Sequence, residues 1–401
     1  MVTGRRPPAP AVARRDATAS GLRYVSLDSP GYQRRRAGRG FTYHHPDGRR
    51  VTSPSELARI RALAIPPAWT DVWICLREDG HIQAVGRDAR NRRQYRYHAG
   101  FRARRDRGKF ARLIRFGEGL PRIRRRVRTD LRRQGLPKEK VLATVVSLLE
   151  ATRLRVGSPE YARLNRSFGL STLHDRHARV TTTTLHLRFR GKGGRIEERR
   201  LVDRRLATVV RRCQELPGQE LFQYLDEAGE PRAISSEDVN GYLREAAGTD
   251  EISAKDYRTW AGTVLAFRLL REGIADDQVA DAVEDAVRQG PARAARKRRA
   301  NPIVEALRRT AEELGDTLAV TRSSYVHPGV IAAFEPGAPA AAQLTAAPRR
   351  RAPGPDRREE LELLRLLKRS RGSGPKRPPT AARRSQVGKA RLADRSSRPA
   401  A

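Results

Sequence analysis

The chain has 401 residues and carries 83 Lys and Arg against 45 Asp and Glu, a formal charge of +38 with a pI near 11.5. A field of that size points to a polyanionic partner, because it attracts phosphate backbones and releases their counterions, while 38% hydrophobic residues are enough for packed cores and exclude a wholly disordered chain. No apolar run approaches the roughly 18 residues of a membrane span, Arg5-Arg6 has no apolar stretch behind it, and Cys75 and Cys213 stand far apart without ligand-spaced neighbours, so a reducing, cytoplasmic setting is expected.

Residues 1–21, rich in Ala, Pro and Arg, read as a mobile basic arm. A compact β-rich domain is expected over 22–98, with extended pieces at Phe41–Tyr43, Val72–Leu76 and His81–Val85. Pro46-Asp47-Gly48 and Glu78-Asp79-Gly80 supply the turns between them. From Arg87 to His98 cations alternate with aromatics, which suits a surface that tracks phosphates and stacks on rings. Arg92, Arg93, Gln94 and Tyr95 are the candidate contacts there. His44-His45 and His98 lack metal-ligand spacing, and no metal is expected.

From Gly100 the pattern turns helical, and a second domain is expected over 99–335. Val141–Leu154 and Asp203–Glu215 read as helices. Between them Leu185, Leu187 and Phe189 alternate with His186, Arg188 and Arg190, and Gly191-Lys192-Gly193-Gly194 turns the chain into a return strand ending at Val202. Lys192 thus falls at a hairpin tip. Ser253-Ala254-Lys255-Asp256 resembles a capping box, which puts Arg258 in the first turns of a helix through Leu269. Asp276-Asp277 to Glu284-Asp285 reads as a solvated acidic face. Asn301-Pro302 opens a further helix with Val304, Leu307, Ala311 and Leu314 on one face and Gly315 as its stop. A short helix over 317–326 then carries Tyr325. Residues 336–401 read as a mostly disordered basic tail holding one amphipathic helix, Arg357–Lys368. The fold class is α+β: a small β-rich N-terminal domain and a mainly helical one with a small hairpin sheet.

Tyr325 lies downstream of three separated cations, Arg155, Lys192 and Arg258. A phenol is a poor nucleophile unaided, but cations gathered round a phosphodiester supply the charge stabilisation that phosphoryl transfer depends on. Nine of the basic residues are Lys, leaving 74 Arg, so Lys192 stands out as a cation able to give up its proton.

Arg155-Val156-Gly157-Ser158-Pro159-Glu160-Tyr161, Gly169-Leu170-Ser171-Thr172-Leu173, Phe189-Arg190-Gly191-Lys192, Lys255-Asp256-Tyr257-Arg258-Thr259, Leu314-Gly315-Asp316-Thr317 and Ser324-Tyr325 resemble, in order and spacing, the motifs of type IB DNA topoisomerases. The resemblance spans roughly residues 22–335 and is nearest the short poxvirus-like and bacterial branch. It implies a monomeric two-lobed clamp on duplex DNA in the cytoplasm, associated with the nucleoid. It further implies attack by Tyr325 to give a 3′-phosphotyrosyl link, with Arg155 and Arg258 on the non-bridging oxygens and Lys192 as general acid. No ATP, metal or other cofactor is implied, and Tyr161 joins the candidate DNA contacts. Asp316 departs from the pattern, standing where relatives carry His or Asn. A carboxylate should repel a charging phosphate, so it is expected either to be protonated when DNA is bound or to point away. Gly315-Asp316-Thr317 equally reads as a helix stop and N-cap.

Two other readings fit part of the sequence. A tyrosine recombinase shares the Arg, Lys, Arg, Tyr order, but Lys255 stands where recombinases usually place His, and their N-terminal region is helical. An architectural DNA-binding protein accounts for the charge and leaves the ordered motifs unexplained.

Overall fold

A computed structural model describes residues 10–89, 91–287, 301–335 and 356–372, with side chains omitted for Pro10, 274–287 and 371–372. The acidic side chains of Asp276 to Asp285 and most of the expected C-terminal tail therefore lie outside the described residues, as do residues 1–9.

The described residues open with helix α1 (Pro10–Thr18), which falls within the mobile arm expected there. Ala13 and Ala17, four residues apart on one face, are small enough to seat against Phe101. Arg14 stacks on Tyr24 at 5.0 Å. Composition suggests disorder here because the apolar face of α1 rests on alanines.

Next come β1 (Gly31–Ala37), β2 (Gly40–His44), α2 (Pro54–Ala62), β3 (Thr70–Cys75), β4 (Ile82–Arg87) and β5 (Arg93–Tyr97). The strands form an antiparallel sheet in the order β2-β1-β3-β4-β5. Tyr32, Val51, Ile60, Val72, Ile74 and Ala84 fill its core beneath α2. β1 escapes sequence reading because Gln33-Arg34-Arg35-Arg36 has low strand propensity. Arg34 makes the strand workable by lying over Phe41 at 4.1 Å and donating to the carbonyls of Pro66 (3.1 Å) and Trp69 (2.6 Å).

The helical part opens with the 32-residue α3 (Ala99–Asp130), capped by His98, followed by α4 (Lys138–Thr152) and α5 (Pro159–Asn165). β6 (Ala178–Val180), β7 (Thr184–Arg190) and β8 (Ile196–Val202) make a small antiparallel sheet. Its β7–β8 register runs from Thr184 opposite Val202 to Arg190 opposite Ile196, which leaves Lys192 at the tip. α6 (Arg204–Gln214), the short pair β9 (Gln223–Leu225) and β10 (Pro231–Ala233), and α7 (Ser236–Ala247) lead into α8 (Ala254–Val287). At its start the Asp256 carboxylate accepts from the backbone N–H and hydroxyl of Ser253 (2.9 and 3.0 Å).

α9 (Pro302–Leu314) is capped by Asn301 and ended by Gly315 at φ +61°. Its buried face carries Ile303, Ala306, Leu307, Thr310, Ala311 and Leu314, whereas Val304, expected inside, is exposed. α10 (Leu318–Ser324) and α11 (Pro328–Ala333) follow, with Tyr325 as the C-cap of α10. One continuous core joins α3, α4, the small sheet and α6–α9.

α12 (Arg357–Gly372) is the amphipathic helix expected within the tail, but it docks on α3, α8 and α11. Leu363, Leu366 and Leu367 are buried, and carboxylates of α12 meet guanidiniums of α3 and α8. Arg124 forks onto Glu360 (2.7 and 2.9 Å) and also reaches Glu150 (2.6 Å). Trp260 donates to Glu360 at 3.0 Å, Arg268 pairs with Glu359 at 2.7 Å, and Arg271 pairs with Glu362. Removing one partner of a buried pair leaves the other charge uncompensated, at a cost of about 3–5 kcal/mol. Glu360→Ala is therefore expected to lower unfolding free energy by about that amount, read as a fall in the urea midpoint with an unchanged slope.

Candidate active site

Arg155 lies in an extended segment just past α4, whose last turn ends at Arg153 in left-handed geometry (φ 56°). That segment is stitched to the turn at 169–171: Leu170 N–H donates to Arg155 O (2.9 Å), and Ser171 N–H to Val156 O (2.6 Å). Two glycines permit the contact. A Cβ on Gly169 would lie 2.5 Å from the Gly157 nitrogen, and Gly157 itself has φ +106°. The Gly-containing motifs thus act through backbone proximity and hold the root of Arg155 in place.

Lys192 projects from the β7–β8 tip. By surface area it is an exposed residue, although nearby protein takes away part of its hydration. Loss of hydration, then the charge of Arg155, pull its pKa below the ordinary 10.5; Arg258 and Arg92 act in the same direction and Asp316 opposes them. Arg92 lies in the loop before β5, outside the helical part of the chain.

Arg258, in the first turns of α8, is 4% exposed. It donates to the carbonyl of Arg153 at the end of α4 (2.6 Å), to the carbonyl of Leu314 at the end of α9, and to Asp316 Oδ2 (2.7 Å). Its Nε is buried without a hydrogen-bond partner. The guanidinium lies 5.1 Å from the centroid of the Tyr325 ring, and Tyr325 is 7% exposed. Arg155, Arg258, Asp316 and Tyr325, drawn from four separate segments, are therefore joined by direct contacts, and Lys192 lies near enough for the charges of Arg155, Arg258 and Asp316 to act on it. Asp316 does not point away: Arg155 Nη2 donates to its two oxygens at 3.1 and 3.0 Å. At the same time Gly315 ends α9 and Thr317 caps α10, so the helix-stop reading holds as well.

The proposed DNA contacts are divided. Arg93 is exposed, Tyr161 is 45% exposed, and Tyr95 stacks on Tyr97 at 5.9 Å. Arg92 is paired with Asp88 (2.7 Å), and Gln94, 8% exposed, donates to the same carboxylate (2.9 Å), so these two shape the loop.

Sequence reading missed the groups that hold Tyr325. A Cβ on Gly262, one turn along α8 from Arg258, would lie 3.0 Å from Tyr325 O and 3.1 Å from its Cβ. Thr263 Oγ1 donates to Tyr325 O (3.0 Å) and accepts from His327 N–H (3.2 Å). Lys109 of α3 donates to Ser324 O (2.5 Å). The signal available was the i, i+4 spacing of Arg258 and Gly262, which puts both on one helix face. Glu197 was also missed; it is buried on β8, 3.6 Å from Arg155 and 3.2 Å from Arg199.

Comparison with known proteins agrees with this geometry. Residues 98–334, more than half of the chain, match a family model described as "Eukaryotic DNA topoisomerase I, catalytic core", and residues 40–88 match "Bacterial DNA topoisomerase IB, N-terminal domain". The chain is 29% identical over 300 residues to the DNA topoisomerase 1B of Acanthamoeba polyphaga mimivirus, covering 74% of this chain and 85% of that protein. With the catalytic-core model matching more than half of it and the N-terminal model matching the region before that, the chain belongs to the type IB DNA topoisomerases.

Proposed function

We propose that this chain relaxes supercoiled DNA by cutting and resealing one strand through Tyr325. The observation that supports the reading is that Arg155 and Arg258 meet at Asp316, Arg258 lies on the Tyr325 ring, and Lys192 is close enough to feel the charge of both arginines. The Tyr325 oxygen forms a bond to the scissile phosphorus, the phenolic proton passes to solvent, and the bond from phosphorus to the 5′-oxygen breaks. Lys192 supplies the proton that the leaving 5′-oxygen needs. Arg155 and Arg258 each meet non-bridging oxygens, where charge builds in the transition state. One phosphodiester is exchanged for another, so the cut conserves the bond energy needed for resealing and ATP has no role.

The cut strand swivels, and the 5′-hydroxyl then attacks the phosphotyrosine with Lys192 accepting its proton. A monomeric clamp suits this cycle, with the N-terminal sheet and the helical domain on either side of the duplex; the influence of Arg92 on Lys192 supports a facing arrangement. Association with the cytoplasmic nucleoid follows from the same reading. No described helix is long and apolar enough to cross a membrane.

Three measurements test it. Wild type is expected to relax plasmids of either supercoil sign with EDTA present and ATP absent, and Tyr325→Phe to bind DNA yet relax neither. If Tyr325→Phe relaxes plasmid normally, the assignment fails; a demand for paired specific sites would move the recombinase reading ahead. For Lys192, the acid form is lost as pH rises through its lowered pKa, so cleavage at subsaturating enzyme should decline from a pH below 10.5. Lys192→Arg should shift that decline upward, and Lys192→Ala should remove it with a loss of about 10²–10⁴-fold. Gly262→Ala, which presses on Tyr325, should slow cleavage about tenfold at unchanged DNA affinity.

A further inference from the structure

The pocket that the preceding reading gives to a phosphate already contains an anion. Asp316 places one oxygen 2.7 Å from Arg258 Nη2 and both oxygens within 3.1 Å of Arg155 Nη2. Its carboxylate thus bridges the two guanidiniums assigned to the non-bridging oxygens. A carboxylate and a phosphodiester offer such donors the same thing, two oxygens on one centre sharing negative charge.

The loop bearing Asp316 is held in place from both sides. Asp316 N–H donates to Ala311 O (2.9 Å), Arg195 donates to Gly315 O (2.9 Å), and Arg258 donates to Leu314 O. Glu197 lies 3.6 Å from Arg155, and Lys192 is close enough to interact with Arg155, Arg258 and Asp316. Among the described carboxylates, Asp316 is the one that bridges both arginines.

Resting on the function proposed above, we infer that Asp316 is a resident occupant of the scissile-phosphate site, and that DNA engages Arg155 and Arg258 by displacing it. Seating the phosphate is then an exchange of one anion for another. Asp316 acts through the two arginines and restrains the cleavage step. In a chain of charge +38, which attracts phosphates without regard to sequence, the exchange keeps the reacting pair occupied until the duplex is seated by the rest of the interface.

The test compares wild type with Asp316→Asn, which keeps the shape and removes the charge. Single-turnover formation of the covalent adduct on a duplex oligonucleotide should be faster in Asp316→Asn, by about tenfold or more. Inorganic sulfate at constant ionic strength should inhibit adduct formation by Asp316→Asn at about tenfold lower concentration than wild type, because sulfate need not expel a carboxylate. Should Asn pack badly, Asp316→Ser removes the same charge, with thermal melting as the control for folding.

An unchanged or reduced rate together with unchanged sulfate sensitivity overturns the inference and leaves Asp316 as a group that positions the arginines. That outcome is separable from failure of the reading beneath it, which requires adduct formation by Tyr325→Phe.

Discussion

The helical domain is knotted together at one buried guanidinium. Arg258 donates to the carbonyl that follows α4, to the carbonyl that ends α9, and to Asp316, while its face lies against Tyr325. Both carbonyls sit at helix C-termini, where unpaired oxygens and the helix dipole concentrate negative potential. A permanent cation placed between two such ends is stabilised without a dedicated counter-ion for each bond. The same contacts fix the relative positions of Arg155, whose root is two residues past Arg153, and of Tyr325, whose helix starts three residues past Gly315. One side chain thus fixes where Arg155, Asp316 and Tyr325 stand relative to one another.

The charge that first suggested a nucleic-acid partner has a second use. Arg34 holds a charged strand to a loop by donating to two carbonyls, Arg59 reaches the carbonyl of Cys75, and Arg124, Arg268 and Arg271 fasten α12. These sites exploit the planar, multi-donor guanidinium, which can satisfy several oxygens at once where an ammonium meets them as a point charge. Part of the excess of arginine over lysine is therefore internal scaffolding, and the full formal charge overstates what faces DNA.

The parts of this architecture that could be read from the sequence were those written in local grammar. The β7–β8 hairpin carried strict alternation and a glycine turn, α9 carried Asn-Pro and Gly at its ends, and the ordered motifs around Arg155, Lys192, Arg258 and Tyr325 carried the family. What escaped depended on partners distant in the chain. β1 is a strand because Phe41, Pro66 and Trp69 absorb Arg34; α1 is ordered because Phe101 covers two alanines. The supports of Tyr325 escaped for a related reason, since a glycine or threonine on a helix shows no sign of what packs on it. Asp316 was legible as a departure, but its direction was not, because a carboxylate's orientation depends on cations 58 and 161 residues away.

α12 lies past the end of the family match and yet is part of the packed core. The family match ends at residue 334, whereas the helix that covers Arg124, Arg268 and Trp260 begins at Arg357. A protein shortened to residue 334 would keep Arg155, Lys192, Arg258, Asp316 and Tyr325. It would also bare a groove lined by leucine-binding surface and by arginines stripped of their carboxylates, on the very helix that bears Arg258 and on the one that bears Lys109. Among the described residues, the end of the family match and the end of the packed helices are therefore different lines.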